Sequence, residues 1–255
     1  MSSNLVATST PVDHVRVVAF NRPDKRNALS QALIDELLLE LSAANNDDSV
    51  HAIVITGNEK FFSAGADIKE ISAIDTETAQ RSRYLEDLCH GLQAVRKPLI
   101  AAVEGMALGG GFEVALACDI ITASTEAYFG LPEVKIGLIP GAGGTQRLTN
   151  IVGKYKAMQL ILLGANLGSE EARARGLVAE VYPAGTVLEK TLELAGQLAQ
   201  LSPGALSLAK DAIRRSDDKG RDDEFERSLY YSAFSSSHKI EGIAAFLEKR
   251  PPKWA

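Results

Sequence analysis

Short β-branched runs alternate along the chain with longer stretches whose apolar residues recur every three or four positions. Val15 to Phe20 reads as a strand, and Asn21-Arg22-Pro23-Asp24 breaks it as a turn. Ser30 has the chemistry of an N-cap, and Leu33, Ile34, Leu37, Leu38 and Leu41 follow it at helical spacing. Val50 to Thr56 reads as another buried strand, stopped by Gly57-Asn58. Leu85, Leu88, Leu92 and Val95 mark one face of a single long helix predicted from Thr76 to Lys97. Pro98 ends that helix, and Leu99 to Val103 reads as the next strand. The alternation predicts an α/β fold with largely parallel strands.

Past Gly144 the pattern turns mostly helical, with one short strand expected at Val178 to Val181. Pro203 to Lys249 reads as three successive helices. Because only helices follow residue 200, the expected division is a core over residues 1–200 and a helical region over residues 201–255. The charge run Arg221, Asp222, Asp223, Glu224, Glu226 and Arg227 is expected to be a solvated helix face.

Composition narrows the class. The 255 residues are 45% hydrophobic and 24% charged, the make-up of a soluble globular protein. No apolar run is long enough to cross a bilayer. Met1 to Val12 lacks the features of a secretory signal, and the end Pro252-Lys253-Trp254-Ala255 is not a peroxisomal tripeptide. Cys89, Cys118 and four histidines show no metal-ligand spacing, so no metal is expected and a reducing, cytoplasmic setting fits. A net charge of -6 argues against nucleic-acid binding as the main task, because neutralising phosphates needs a basic surface. Lys25-Arg26 and Lys249-Arg250 remain as local basic clusters.

Two glutamates follow glycine-dense, weakly charged sequence. Glu113 closes Gly109-Gly110-Gly111-Phe112, and Glu133 closes Phe129-Gly130-Leu131-Pro132. Three successive glycines are costly inside a helix, whereas Glu113 to Cys118 is a good helix candidate. The glycines are therefore expected to form a tight turn feeding a helix N-terminus, where unpaired N–H groups and the positive dipole end stabilise an anionic oxygen. A turn serving close packing alone is the other reading of the same residues. Ser63-Ala64-Gly65-Ala66 offers small side chains and a backbone N–H to complete an oxyanion hole. Pro140 to Gly144 is a second glycine-rich turn, with a helix start at Thr145. Glu133 has a salt bridge to Lys135 or Arg147 as its alternative role. Gly141-Ala142-Gly143 is not a dinucleotide fingerprint, since Gln146 holds its sixth position, and Ser63 lacks the first glycine of a nucleophile elbow. Two acids with two free donors suit adding water across a polarised double bond.

These segments together resemble the enoyl-CoA hydratase/isomerase family, also called the crotonase family. The matching segments are Asn21-Arg22-Pro23 through Asn27-Ala28-Leu29, Phe62 to Ile68, Lys97-Pro98 through Gly109-Gly110-Gly111, Phe129 to Glu133, Ile139 to Leu148, and Gly242 to Arg250. The resemblance implies a crotonase-like spiral of ββα units with a C-terminal helical trimerisation region. It also implies a homotrimer or hexamer, and an acyl-CoA thioester substrate with no cofactor beyond the CoA that the substrate carries. By motif position it implies Glu113 and Glu133 as catalytic acids, and the N–H groups of Ala64 and Gly110 as oxyanion-hole donors. Ala28, Ala64, Gly65, Ala66, Asp67 and Ile68 are implied to line the substrate and CoA path, and Phe246 and Lys249 to approach CoA from the C-terminal end. Lys25, Arg26 and Lys249 are implied to offset CoA phosphates.

Family isomerases typically keep only the acid at the Glu133 position, whereas hydratases keep both, so the pair implies an enoyl-CoA hydratase. A Δ3–Δ2-enoyl-CoA isomerase, an RNA-binding protein on the same scaffold and a non-catalytic acyl-CoA binder are the alternatives. Glu104 stands where many relatives have Asn, and Leu131 where several hydratases have Gln, a change expected to loosen the hydrogen bonds around Glu133. Acyl-chain selectivity is expected from residues 69–92, where Cys89 and His90 read as core or helix-face residues.

Overall fold

The computed structural model describes residues 4–218 and 223–253. Its strands are β1 (Val6–Val12), β2 (Val15–Phe20), β3 (Ala52–Thr56), β4 (Phe61–Ser63), β5 (Leu99–Val103), β6 (Met106–Leu108), β7 (Ile120–Ser124), β8 (Tyr128–Gly130), β9 (Asn166–Gly168) and β10 (Glu180–Tyr182). They form a six-stranded sheet, β1-β2-β3-β5-β7-β10, and a four-stranded sheet, β4-β6-β8-β9. Pairing is parallel except at β1–β2 and β8–β9.

Three times the chain lays one strand in each sheet and then turns into helix, as β3–β4, β5–β6 and β7–β8. This is the expected spiral of ββα units, and it stacks the segments after β4, β6 and β8 side by side. Those are the segments that carry Ala64 to Ala66, the glycine turn and Glu133.

The inner strands are apolar because both faces are covered. Val15, Val17, Ala52, Val54, Ile100 and Ala102 face the helix Val187–Ala199. Val18, Phe20, Ile53, Ile55, Leu99 and Ala101 face the larger core, with Leu33, Ile34, Leu37 and Leu41 of the helix Gln31–Asn46. Ser30 caps that helix as expected, accepting from Leu33 N at 3.3 Å. β1 carries no signal in the sequence because it is an edge strand with mostly exposed residues, where Pro11 is tolerated.

The predicted helix from Thr76 to Lys97 is two helices, Thr76–Arg81 and Glu86–Ala94. Arg83 and Leu85 between them have φ of 51° and 67°. The carbonyl of Tyr84, which a continuous helix would give to Leu88 N–H, instead accepts from Tyr231 Oη at 3.1 Å. The break lets both Tyr84 and Leu85 enter the core. The late strand begins at Glu180, two residues after the expected start.

Three helices close the chain, Pro203–Asp218, Asp223–Ala233 and Ser237–Glu248. The charge run is not a solvated face throughout. Glu224 is exposed, but Glu226 and Arg227 are 2% and 8% exposed; Arg221 and Asp222 lie outside the described residues. The last helix is pinned to the core by buried Lys239, whose Nζ donates to Ile74 O at 2.8 Å. Among the described residues, no helix is long and apolar enough to cross a membrane.

Candidate active site

The loop after β2 and the loop after β4 are stitched together through buried Asn27. Its side-chain amide donates to the carbonyls of Phe61 and Phe62, and its own carbonyl accepts from Ser63 Oγ at 2.8 Å. Ser63 is thereby structural, as its sequence context implied. Ala64 N–H donates to Arg26 O at 2.9 Å. This corrects the expectation for Ala64, because a donor already committed to a carbonyl cannot hold an oxyanion. Leu29 bonds to the next stretch from one side, its N–H to Gly65 O and its carbonyl from Asp67 N–H. Amides alternate in direction along an extended chain, so the intervening Ala66 N–H faces the opposite side. That side belongs to Gly110: a Cβ placed on Gly110 would lie 3.7 Å from Ala66 N. Among the described residues, neither the Ala66 nor the Gly110 N–H donates to a protein acceptor.

Two glycines make this approach possible. Gly65 has φ of +93°, and a Cβ there would sit 2.8 Å from Leu108 O. Gly109 has φ of +49° and is the N-cap of the helix Gly110–Ala117, so the glycines do lead into a helix N-terminus, but Gly110 and Gly111 form its first turn and the helix starts three residues before the expected Glu113.

One turn into that helix lies Glu113, 2% exposed. Its Oε1 accepts from Ala142 N–H at 2.8 Å and from Gly144 N–H at 2.9 Å. Burial pushes its carboxyl up, and the nearby Glu226 charge adds to the rise; the two amides and Arg147 pull it back, leaving it at about 7. Glu133 follows Pro132 at the start of a short 3-10 turn, Glu133–Ile136. The residue is half-buried, but its Oε2 is closed to solvent and has no hydrogen-bond partner. Burial, and then the Glu113 charge, hold its carboxyl well above the usual range. The salt-bridge alternative for Glu133 is not realised. Lys135 Nζ donates to Gly164 O at 2.6 Å, and Arg147 donates to Ala142 O at 2.9 Å.

Both acids line one cavity of about 310 Å³. Of the residues singled out in the sequence, Arg26, Ala64, Gly65, Ala66, Ile68, Gly110 and Phe246 also line it. Lys25, Ala28, Asp67 and Lys249 are not among the described residues that line it. Asp67 has structural work instead: it pairs with Arg22 at 2.8 Å and caps the helix Ile68–Ala73 through Lys69 N–H. Burial lifts its carboxyl, but these bonds outweigh the lift and hold it below its ordinary value. Lys249 is the exposed, left-handed C-cap of the last helix. Ile71 and Leu85, from the stretch expected to set acyl selectivity, stand in the wall. Tyr230 and Leu138 stand there too and were missed. An apolar side chain, whether in a helix like Tyr230 or in a loop like Leu138, reads as core whether or not one edge faces a cavity. Among the described residues, no group of three or more His, Cys, Asp or Glu side chains is placed to hold a metal ion.

Two acids held above their ordinary range thus share one cavity with two open amides. The model of the enoyl-CoA hydratase/isomerase family matches residues 12–255. The 2,3-dehydroadipyl-CoA hydratase of Escherichia coli K12 is 45% identical over 240 residues, which are 93% of this chain and 94% of that protein. A probable mitochondrial enoyl-CoA hydratase of Dictyostelium discoideum is 43% identical over 250 residues, 97% of this chain and 90% of that protein. Among solved structures, an enoyl-CoA hydratase subunit from Geobacillus kaustophilus superposes with a TM-score of 0.82 at 41% identity, covering 98% of both chains. Sequence, fold and site agree, and the chain belongs to the enoyl-CoA hydratase/isomerase family.

Proposed function

We propose that this chain is an enoyl-CoA hydratase, adding water reversibly across the double bond of a trans-2-enoyl-CoA to give a 3-hydroxyacyl-CoA. The observation that carries the reading is the unequal pair of acids. Glu113 is steadied by two amides that favour its charged form, while Glu133 presents an unpartnered oxygen that favours its proton. Environments that push two carboxyls apart assign one as base and the other as acid.

The Glu113 carboxylate takes a proton from water as the water oxygen bonds to C3. The carbon–carbon π electrons move toward the thioester, whose oxygen gains negative charge held by the Ala66 and Gly110 N–H groups and by the helix dipole behind Gly110. The Glu133 carboxyl then delivers its proton to C2. Glu113 is left protonated and Glu133 ionised, and a proton passing from one to the other resets the site. Dehydration runs the same steps backwards. This scheme calls for no group beyond the CoA carried by the substrate.

A single proton carrier at Glu133 would also serve Δ3–Δ2 isomerisation, and its unpartnered oxygen favours that as the second reading. Incubation with a 2-enoyl-CoA and with a 3-enoyl-CoA separates the two. Hydration bleaches the conjugated enoyl-thioester absorbance without a redox cofactor. Appearance of that absorbance from the 3-enoyl substrate, with no loss from the 2-enoyl one, would overturn the hydratase reading. RNA binding is disfavoured by the charge of -6.

A homotrimer or a pair of trimers is proposed as the assembly. Tyr155, Met158, Leu162 and Leu163 are exposed along the helix Lys154–Leu163, an apolar stripe that association would cover. A monomer in sedimentation at micromolar concentration would contradict it. Two free cysteines, Cys89 and Cys118, support a reducing, cytoplasmic setting.

A further inference from the structure

Four successive amides on the second glycine-rich turn are shared between two carboxylates. Ala142 and Gly144 donate to Glu113 Oε1 at 2.8 and 2.9 Å. Gly143 donates to Glu226 Oε1 at 2.6 Å, and Thr145 N–H to Glu226 Oε2 at 2.7 Å. The Thr145 hydroxyl donates to the same Oε2. Glu226 arrives from the helix Asp223–Ala233, 113 positions along the chain from Glu113 by their numbers.

From these bonds we infer that Glu226 is a positioning residue for catalysis, acting through Glu113 by fixing the turn whose amides steady that base. The inference rests on the hydratase reading of the site.

The local chemistry explains why a distant carboxylate is needed. The helix Gly144–Val152 starts behind Gly143, which has φ of +88° and no side chain to cap the first turn. The first amides of a helix lack partners within it. Here residues 142–144 are buried, so water is not at hand to satisfy them. Glu226 supplies from another helix what an Asp or Ser N-cap supplies locally, and places negative charge at the positive end of the dipole. Remove it, and the buried Gly143 amide is satisfied only if the turn moves, with the half-buried Thr145 amide losing its partner as well. A turn that moves carries Ala142 and Gly144 off Glu113 Oε1, because the four donors sit on one continuous backbone. Glu226 is not among the described residues lining the cavity, so its loss acts on the base without itself removing a substrate contact.

The test compares Glu226→Ala and Glu226→Gln in the wild-type and Glu113→Gln backgrounds, with a short 2-enoyl-CoA as substrate. Glu226→Ala is expected to lower kcat by ~10–100-fold, the scale for a catalytic group displaced by about an ångström. KM should stay within about threefold. Glu226→Gln, which keeps one acceptor oxygen, should restore part of the loss. In the Glu113→Gln background the alanine change should cost less than about threefold, because residues acting as a unit are not additive. The inference is overturned if kcat of Glu226→Ala stays within about threefold of wild type, if the loss lies in KM, or if the same factor is lost in both backgrounds. If the alanine variant does not fold, Glu226→Gln carries the same comparison. A wild-type protein that hydrates no 2-enoyl-CoA sinks the hydratase reading before any variant is compared.

Discussion

Glu113 Oε1 lies 2.9 Å from the amide nitrogen of Gly144, the first residue of the helix Gly144–Val152. A helix that begins against a carboxylate must begin with a residue that has no bulk. A Cβ at position 144 would lie 2.7 Å from Glu113 Oε1 and 3.0 Å from the Pro140 side chain. Gly144→Ala is therefore expected to displace the base and lower kcat by ~100-fold, with affinity for acyl-CoA nearly unchanged. Steady-state kinetics with calorimetric titration of a saturated acyl-CoA checks this. Unaltered kcat would show that the contact does not position the base.

Hydration should require Glu113 ionised and Glu133 protonated. Activity is then expected to fall below about pH 7, as Glu113 takes up its proton, and again at high pH, as Glu133 loses its own. The measurement is kcat/KM against pH, which reports the groups of the free enzyme. A flat profile from about pH 5 to about pH 9 is incompatible with this pair.

The same carboxyl links stability to pH. A group that binds its proton more tightly when folded stabilises the fold fully below its unfolded pKa, and that contribution is lost as pH rises through the folded value. For Glu113 the window runs from 4.5 to about 7. Wild type should lose on the order of 3 kcal/mol across it from this residue. Glu113→Gln keeps an oxygen for Ala142 and Gly144 but has no proton to lose. Its Tm should therefore drop less than that of wild type between about pH 5 and about pH 8. Equal drops in thermal melts at the two pH values would remove Glu113 as the cause.

Gly65 aims the Ala66 amide. With φ of +93° and Leu108 O 2.8 Å from a would-be Cβ, Gly65→Ala must shift the chain that carries this donor. Losing one oxyanion donor costs ~100–1,000-fold in kcat. Kinetics of Gly65→Ala should show a loss approaching that size, with Tm as the control for folding. A variant that folds and turns over normally would free Ala66 from this role.

Much of this architecture could be read along the chain, and the failures have particular causes. The strand at Leu99 was legible because a parallel strand covered on both faces is apolar throughout, and the strand at Val15 because Val15, Val17 and Val18 give a β-branched run despite Arg16. The helix start before Glu113 was legible because glycines are poor in a helix interior, but its place was not, since Gly110 and Gly111 are tolerated in the first turn. Four of the five three-residue strands, β4, β6, β8 and β9, were not, since a period of two cannot show itself in three positions; β10, equally short, was signalled only by the Val178 to Val181 run that overlaps it. The break at Tyr84 was hidden because its cause, Tyr231 on a far helix, is not local. Ala64 and Ala66 look alike in one dimension, two alanines around one glycine. Only the bonds to Arg26 and Leu29 say which amide is occupied. Glu226 and Arg227 looked solvated because a charged stretch carries no mark of what will cover it.

Tyr230 and Phe246, which line the cavity, come from the last thirty residues of the sequence, while both acids are in place at least 97 positions earlier. A polypeptide emerging from the ribosome thus acquires its reactive groups, and most of the wall around them, well before the last two wall residues arrive. A chain that stops short of residue 230 carries both acids but neither Tyr230 nor Phe246 to bound the space in front of them.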